Sequence, residues 1–159
     1  MRPTESGAQS LILQPRAEKG GSVNHFELSK TEQNRRKELI KRVRFVILDE
    51  MNVEAQDETS LMLMYNGYYL QISFSELHPL MVFCLAKAMP EPLSEKHYGI
   101  VNDLNLKSVL GSHSVNEEIG CYSYRATHWL DTDLPVVRFY EILDRCIDEA
   151  ARGYNSLTR

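Results

Sequence analysis

The sequence is short of the residues on which several common classes of protein depend. It has only three cysteines, Cys84, Cys121 and Cys146, and their odd number and wide spacing exclude a disulfide scaffold and a zinc ribbon. No apolar run is long enough to cross a bilayer, and no basic-then-apolar signal sequence opens the chain. These absences, with thiols of a reducing compartment, predict a cytoplasmic protein that has no membrane partner.

Positive charge is also in the minority, with 18 Lys and Arg against 22 Asp and Glu. Residues 53–159 hold eight basic and fifteen acidic side chains, whereas residues 28–52 hold seven basic and four acidic ones. The net negative charge argues against a protein that coats nucleic acid without sequence preference. The basic segment leaves two interpretations open: a nucleic-acid-associated regulator that uses this segment, or a solvated helix face beside an acidic body.

Catalytic and cofactor-binding patterns are absent as well. The five histidines form no pair at ligand spacing, and the chain has no glycine-rich phosphate loop. Residues 111–115 (GSHSV) lack the second glycine of a nucleophile elbow and lie in a strand pattern. The sequence therefore predicts a protein that is not an enzyme and binds no cofactor or metal; an unrecognised enzyme or small-ligand binder is the remaining alternative.

The beginning of the chain differs from the rest in composition. Residues 1–27 are rich in Gly, Pro and Ser, which predicts a flexible N-terminal tail, followed by a single domain over residues 28–156. Ser29 and Glu32 have the spacing of a capping box, and apolar residues then recur at helical spacing. A helix is therefore predicted over residues 30–51, and its first half carries the basic segment.

The clearest local signal is the dipeptide Asn66-Gly67, which suits a type I′ hairpin turn because both of its residues need a positive φ. A two-residue turn sets the register of the two strands that it joins. The pairs predicted on the core side of this hairpin are Tyr65–Tyr68, Leu63–Leu70 and Leu61–Ile72.

The other side of the same hairpin carries Met62, Met64, Tyr69 and Gln71, and it is neither cleanly polar nor cleanly buried. Methionine side chains are flexible and polarisable, so they suit an adaptable contact surface. We expect Met62, Met64 and Tyr69 to contact a partner or a second copy of the chain, with a second buried layer as the alternative.

Three further strands are predicted beyond the hairpin. The apolar run 81–88 is bounded by prolines, although its pattern alone does not separate a strand from a buried helix. Residues 108–115 and 121–129 read as two more strands, and the second alternates apolar with polar side chains. The whole pattern predicts an α+β fold in which helices pack on an antiparallel sheet of about five strands, in the order α-βββ-α-ββ-α.

Two more helices complete the predicted order. Ser94 is a candidate cap for a helix, and Asp133 is a candidate cap for the last one, whose apolar stripe runs over residues 136–154. Gly153 is expected to end or weaken that last helix. The residues expected to face inward from the earlier helix are Tyr98, Val101 and Leu104.

The order of the elements, the hairpin at 61–74, the helical segment 100–105 with the strand pair after it, and the helix at 134–154 resemble the YbjN-like family, whose fold is like that of type III secretion chaperones. The resemblance covers about residues 37–154 and implies a small, acidic, dimer-forming binding protein with a chaperone-like or regulatory role. Secretion chaperones of this fold hold an extended client segment along apolar patches and strand edges. No catalytic residues carry over.

We therefore expect a non-enzymatic binding protein, active as a homodimer, that captures an extended segment of a protein or peptide client. Such a client gains main-chain hydrogen bonds at the edges of a sheet. An acidic body would suit a basic client, because complementary charge speeds association.

Overall fold

Three helices and one antiparallel sheet make up the described part of the chain, residues 27–75 and 77–159 of a computed structural model. The elements are α1 (Lys30–Glu50), β1 (Ala55–Gln56), β2 (Ser60–Tyr65), β3 (Tyr68–Ser75), β4 (Leu80–Ala88), α2 (Glu95–Lys107), β5 (Gly111–Asn116), β6 (Cys121–Trp129) and α3 (Val136–Leu157).

This order confirms the predicted α+β fold, with six strands in place of about five. The additional strand is β1, and two residues are too few to produce an alternating pattern that sequence could reveal. The predicted tail, residues 1–27, lies outside the described residues except for Glu27, and the limits of the single domain at 28–156 remain a prediction.

The strands lie in the order β1-β2-β3-β4-β6-β5, and every neighbouring pair is antiparallel. At the hairpin turn, Asn66 has φ 50° and Gly67 has φ 80°, as a type I′ turn requires. The predicted register is confirmed, and the observed partners include Tyr65 with Tyr68, Leu63 with Leu70 and Leu61 with Ile72.

One face of the sheet, which we call the inner face, packs against all three helices. Side chains of β2, β3, β4 and β6 that point to this face are almost fully buried and join apolar residues of α1 and α3 in one core. The main contributors are Leu61, Leu63, Leu70, Ile72, Phe83, Leu85, Tyr122 and Tyr124 from the sheet, Leu39, Val43 and Ile47 from α1, and Phe139, Leu143 and Ala150 from α3.

The start of α1 agrees with its predicted cap. The backbone N–H of Glu32 donates to Oγ of Ser29 at 3.1 Å. The Glu32 carboxylate, however, pairs with Arg35 and Arg36 rather than returning to the backbone N–H of the cap, so only half of the capping box forms.

Three details of the predicted helices are wrong. Tyr98 of α2 is 45% exposed instead of facing inward, because the helix presents Ile100, Val101 and Leu104 to the core. The N-cap of α3 is Pro135 and not Asp133, whose carboxylate binds Arg42 of α1 at 2.8 Å.

The third error concerns Gly153, which lies inside α3 and does not end it. A Cβ added there would stand 2.4 Å from the imidazole of His113 and 2.7 Å from the hydroxyl of Tyr122. The glycine therefore allows the helix to approach the sheet closely, a requirement that is set by tertiary packing and not by the local sequence.

Candidate functional site

The three side chains predicted to contact a partner lie together on the sheet face opposite the helices, which we call the open face. Met64 and Tyr69 are cross-strand partners on β2 and β3, and they are 53% and 43% exposed. Met62 is half-buried, one row along the sheet, opposite Gln71. In the part of the chain that the structure describes, no helix packs on this face.

The open face continues across β4, β6 and β5 with small, hydroxyl-bearing or apolar side chains. At its far end Trp129 is 69% exposed and pairs with Leu80 of β4. The remaining outward positions that the strand pairings define there are Val82, Cys84, Ala86, Ala88, Ser112, Ser114, Asn116, Cys121, Ser123, Arg125 and Thr127.

Arg125 of β6 is the one charged side chain at these paired outward positions, and sequence reasoning did not single it out. It is exposed and lies between Cys84 of β4 and Ser112 of β5 in the sheet. Burial raises the pKa of the Cys84 thiol, and the nearby positive charge of Arg125 opposes that rise. Alternation places Arg125 on this face because Tyr124 and Ala126 on either side of it are buried in the core.

One edge of the sheet is covered by helix side chains. The amide of Asn105, on α2, accepts a hydrogen bond from the backbone N–H of His113 at 2.7 Å and donates one to the C=O of His113 at 3.0 Å. The Glu149 carboxylate, on α3, accepts from the backbone N–H of Gly111 at 3.1 Å. The outer side of β5 is thus largely supplied with hydrogen bonds from within the chain, which blocks strand addition there.

The opposite edge is only partly covered. The two-residue strand β1 pairs with Leu61 and Met62 of β2 and extends no further. In a two-residue hairpin the pair beside the turn exchanges both hydrogen bonds, so the N–H and C=O of the next residue, Met64, point away from β3. The free part of this edge therefore lies beside the exposed Met64 side chain.

Several buried polar groups of the inner side form a hydrogen-bonded network around the Glu149 carboxylate. Besides Gly111, the Glu149 carboxylate accepts hydrogen bonds from the Tyr124 hydroxyl at 2.9 Å and from the backbone N–H groups of Val109 and Leu110. Burial by itself raises the pKa of Glu149, but these hydrogen bonds together outweigh burial and hold the pKa below its ordinary value. The carboxylate is therefore an anchor for the α2–β5 turn.

The titratable groups near Glu149 also have structural roles. His113 contacts the Tyr122 hydroxyl at 2.7 Å, and burial lowers the pKa of this histidine and raises that of the tyrosine. Burial also raises the pKa of the Cys146 thiol to about 12, so this cysteine carries no thiolate at neutral pH. Among the described residues no cluster of His, Cys, Asp and Glu has the arrangement of a metal site.

The basic side chains of α1 are largely engaged within the chain. Lys41 pairs with Glu38, Arg42 pairs with Asp133, and Arg44 donates to the backbone C=O of Asp57 at 2.8 Å. Together with the Glu32 pairs, these contacts explain why a basic segment is compatible with an acidic body.

A shallow apolar groove of about 500 Å³ lies between α1 and the segment before α3. Phe45, which is 73% exposed, borders it together with Val46 and Leu134. This groove is a second exposed apolar surface, on the helix side of the molecule. No helix of the described chain is apolar and long enough for a membrane span.

No protein-family profile and no curated protein matches the chain. Solved structures do match it. In the ExsC–ExsE complex the match has a TM-score of 0.59 at 14% identity, and it covers 79% of this chain and 96% of the other. In the HopA1–SchA chaperone–effector complex the match has a TM-score of 0.55 at 10% identity, and it covers 81% of this chain and 99% of the other.

YbjN from E. coli, a proposed transcription regulator, matches with a TM-score of 0.56 at 9% identity, over 72% of this chain and 87% of YbjN. The fold of this chain is therefore YbjN-like and similar to that of type III secretion chaperones, as the sequence resemblance implied. At this level of identity the likeness establishes the fold alone.

Proposed function

We propose that this protein is a non-enzymatic, chaperone-like binding protein that captures an extended segment of a client protein on the open face of its sheet. The observation that carries the proposal is the exposure of Met64, Tyr69 and Trp129 on a face that no described helix covers. Apolar side chains grouped on one exposed face are typical of protein-binding surfaces.

The structural neighbours support this proposal. HopA1 and SchA were solved together as a chaperone–effector complex, and ExsC was solved in complex with ExsE. Protein binding is thus associated with this fold in two proteins that cover most of the present chain. We extend that role to this chain, with a reducing cytoplasm as the compartment.

The geometry suggests how an extended client would bind. Main-chain pairing is available at the free part of the β2 edge beside Met64, because Asn105 and Glu149 cover the β5 edge. A segment that begins there crosses Met62, Met64 and Tyr69 before it reaches the centre of the sheet. We therefore expect a client to pair with one edge of the sheet, the β2 edge, and not with both.

The capture role is tested with fluorescently labelled, carboxymethylated α-lactalbumin, a permanently unfolded probe. The double variant Met62→Lys/Tyr69→Lys should weaken binding by about ten-fold or more, since anchor residues of interfaces contribute on the order of 1–3 kcal/mol each. A matched control, Phe45→Lys/Val137→Lys, places two ammonium groups on the exposed apolar surface of the helix side and should bind like wild type.

Circular dichroism and urea unfolding report whether each variant is folded. If the Met62→Lys/Tyr69→Lys variant loses binding and stability equally, Met62 and Tyr69 are structural residues. If only the Phe45→Lys/Val137→Lys control loses binding, the client binds at the α1 groove instead. Turnover of a substrate by the purified protein would contradict the non-enzymatic role.

We also propose that the protein is a homodimer. A client and a second copy cannot occupy the same face, and the chain has another exposed apolar group at the end of α2, where Leu106 is 78% and Val109 is 87% exposed. Light scattering should therefore give twice the chain mass of 18.3 kDa. Val109→Asp should shift it toward the monomer while Met64→Asp should not; a monomeric wild type would exclude the dimer.

A regulatory role with nucleic acid is the second candidate, because YbjN shares the fold and is a proposed transcription regulator. The intrachain pairing of Arg35, Arg36, Lys41 and Arg42 weighs against it. Retention on heparin that falls steeply with salt, and that is lost in a Lys30→Glu/Arg36→Glu variant, would favour this role over client capture.

A further inference from the structure

Arg125 differs from the other arginines whose contacts are described above. Arg35, Arg36 and Arg42 each lie within 3.0 Å of a carboxylate oxygen. The Arg125 guanidinium, in contrast, has no hydrogen bond or ion pair with any residue of the described chain. It projects from β6, next to the edge strand β5, on a sheet face whose paired outward positions are otherwise uncharged.

An occupant of the open face must provide for this cation. A guanidinium that is covered by an apolar segment loses its hydration, and without a counterion that loss is costly. An occupant that places a carboxylate against Arg125 replaces the lost water with two parallel charge-assisted hydrogen bonds. Chemical complementarity therefore favours a client that is apolar in part and acidic at one point.

The position of Arg125 sets a distance between these two parts. Met62, Gln71, Cys84 and Arg125 are successive partners on β2, β3, β4 and β6. Three strand spacings separate Met62 from Arg125, which is about 14 Å across the sheet. An extended chain spans that distance with about four to five residues.

We propose that the open face binds an extended protein segment in which an Asp or Glu stands about four to five positions from the apolar residues and pairs with Arg125. This inference rests on the proposed capture function and names the chemistry of its client. It differs from the expectation of a basic client, which came from the excess of acidic residues over 53–159 and not from the face itself.

A protein carboxylate fits better than a phosphate polymer. Nucleic acids are bound by several cations that neutralise successive phosphates. Among the paired outward positions of this face only Arg125 is cationic, and Met62, Met64 and Tyr69 offer apolar contact instead. The surface suits one acidic side chain flanked by apolar ones.

The test is selection from a library of random dodecapeptides displayed on phage, with the full-length protein immobilised. Wild-type protein should select apolar peptides that are enriched in Asp and Glu, and Arg125→Glu should lose that preference and select Lys or Arg instead. In a selected peptide made by synthesis, Glu→Gln should weaken binding about three- to ten-fold, the scale expected for a charge-assisted pair.

The control Lys96→Glu makes the same change of charge on the exposed surface of α2 and should keep the acidic preference. Arg125→Lys should keep it with lower affinity, and unchanged thermal unfolding shows that the variants are folded. Apolar peptides without acidic enrichment, or the same preference in Arg125→Glu, would overturn this inference and leave the capture function standing.

Failure of the wild-type protein to select any peptide would overturn both, since the inference depends on capture. If the wild-type protein binds an oligonucleotide and the Arg125→Glu variant does not, Arg125 binds phosphate, which would also contradict the inference of an acidic protein client.

Discussion

The two faces of the sheet are built from alternate residues of the same strands, yet they differ in almost every physical respect. On β2, Leu63 is 2% exposed on the inner face and its neighbour Met64 is 53% exposed on the open face. Both side chains are apolar and of similar size. The difference lies in what covers each face, so apolar character by itself identifies a contact surface and does not say whether the contact is with the same chain.

The faces also treat charge differently. The inner side holds the Glu149 carboxylate among donors from Tyr124, Gly111 and the α2–β5 turn, so the buried charge is fully satisfied. The open face holds Arg125 with no partner in the described chain. A satisfied buried charge is typical of structure, whereas Arg125, among the small and hydroxyl-bearing side chains of the open face, is the charge for which we propose a partner.

The largest loss of stability should come from truncating Leu63, the buried one of the two neighbours Leu63 and Met64. Leu63→Ala leaves a cavity under the helices and should lower the free energy of unfolding by about 2–5 kcal/mol. The matched change Met64→Ala removes a side chain that is already in water and should cost about 0.5 kcal/mol or less. Urea unfolding measures both, and a similar cost for the two variants would mean that the open face is covered in solution.

A smaller effect should follow from disturbing the turn that assigns residues to the two faces. Gly67→Val puts a β-branched residue at φ 80° and should cost about 1–3 kcal/mol. Gly67→Asn is the control, because asparagine tolerates positive φ, and it should cost less than Val. Equal melting temperatures for Val and wild type would show that the turn does not set the register.

The smallest loss of stability should come from removing the negative charge of Glu149 on the inner side. The pKa of Glu149 in the folded state lies below its ordinary value of 4.5, so its stabilising contribution is present above that pH and is lost as the pH falls through the folded-state pKa. Glu149→Gln should cost about 1–2 kcal/mol at pH 7, because an NH2 group replaces one of the two accepting oxygens and the negative charge is lost.

The two proteins should then approach each other in stability as the pH is lowered from 5 to 3. Urea unfolding at several pH values measures this convergence. A constant difference between Glu149→Gln and wild type over that range would mean that the carboxylate does not contribute through its charge.

Much of the fold was predictable because its signals are local. The dipeptide Asn66-Gly67 requires one turn type, and that turn sets the whole register of β2 against β3. Helix α1 begins after Ser29, whose hydroxyl accepts a hydrogen bond from the backbone N–H of Glu32 three residues further on. The predictions that failed depend on distant partners: Asp133 is taken from its capping role by Arg42, and Gly153 serves the approach of α3 to His113.

The candidate site was predictable in part for the same reason. Hairpin register places Met62, Met64 and Tyr69 on one face, but register does not say whether a helix will cover that face. Arg125 gave no signal, since a single arginine in an alternating strand is ordinary. Its importance depends on the strand order β4-β6-β5, which places uncharged residues on both sides of it, from the distant strand β4 and from β5.

The sequence by itself determined the hairpin register, the identity of the two faces and every element except β1, because capping, turn geometry and alternation act over a few residues. Only the tertiary structure decided which face the helices cover, which sheet edge Asn105 and Glu149 occupy, and which charge is left without a partner. Those outcomes depend on contacts between residues up to about a hundred positions apart, such as Arg35 and the backbone C=O of Asp131, and no local pattern of side chains encodes them.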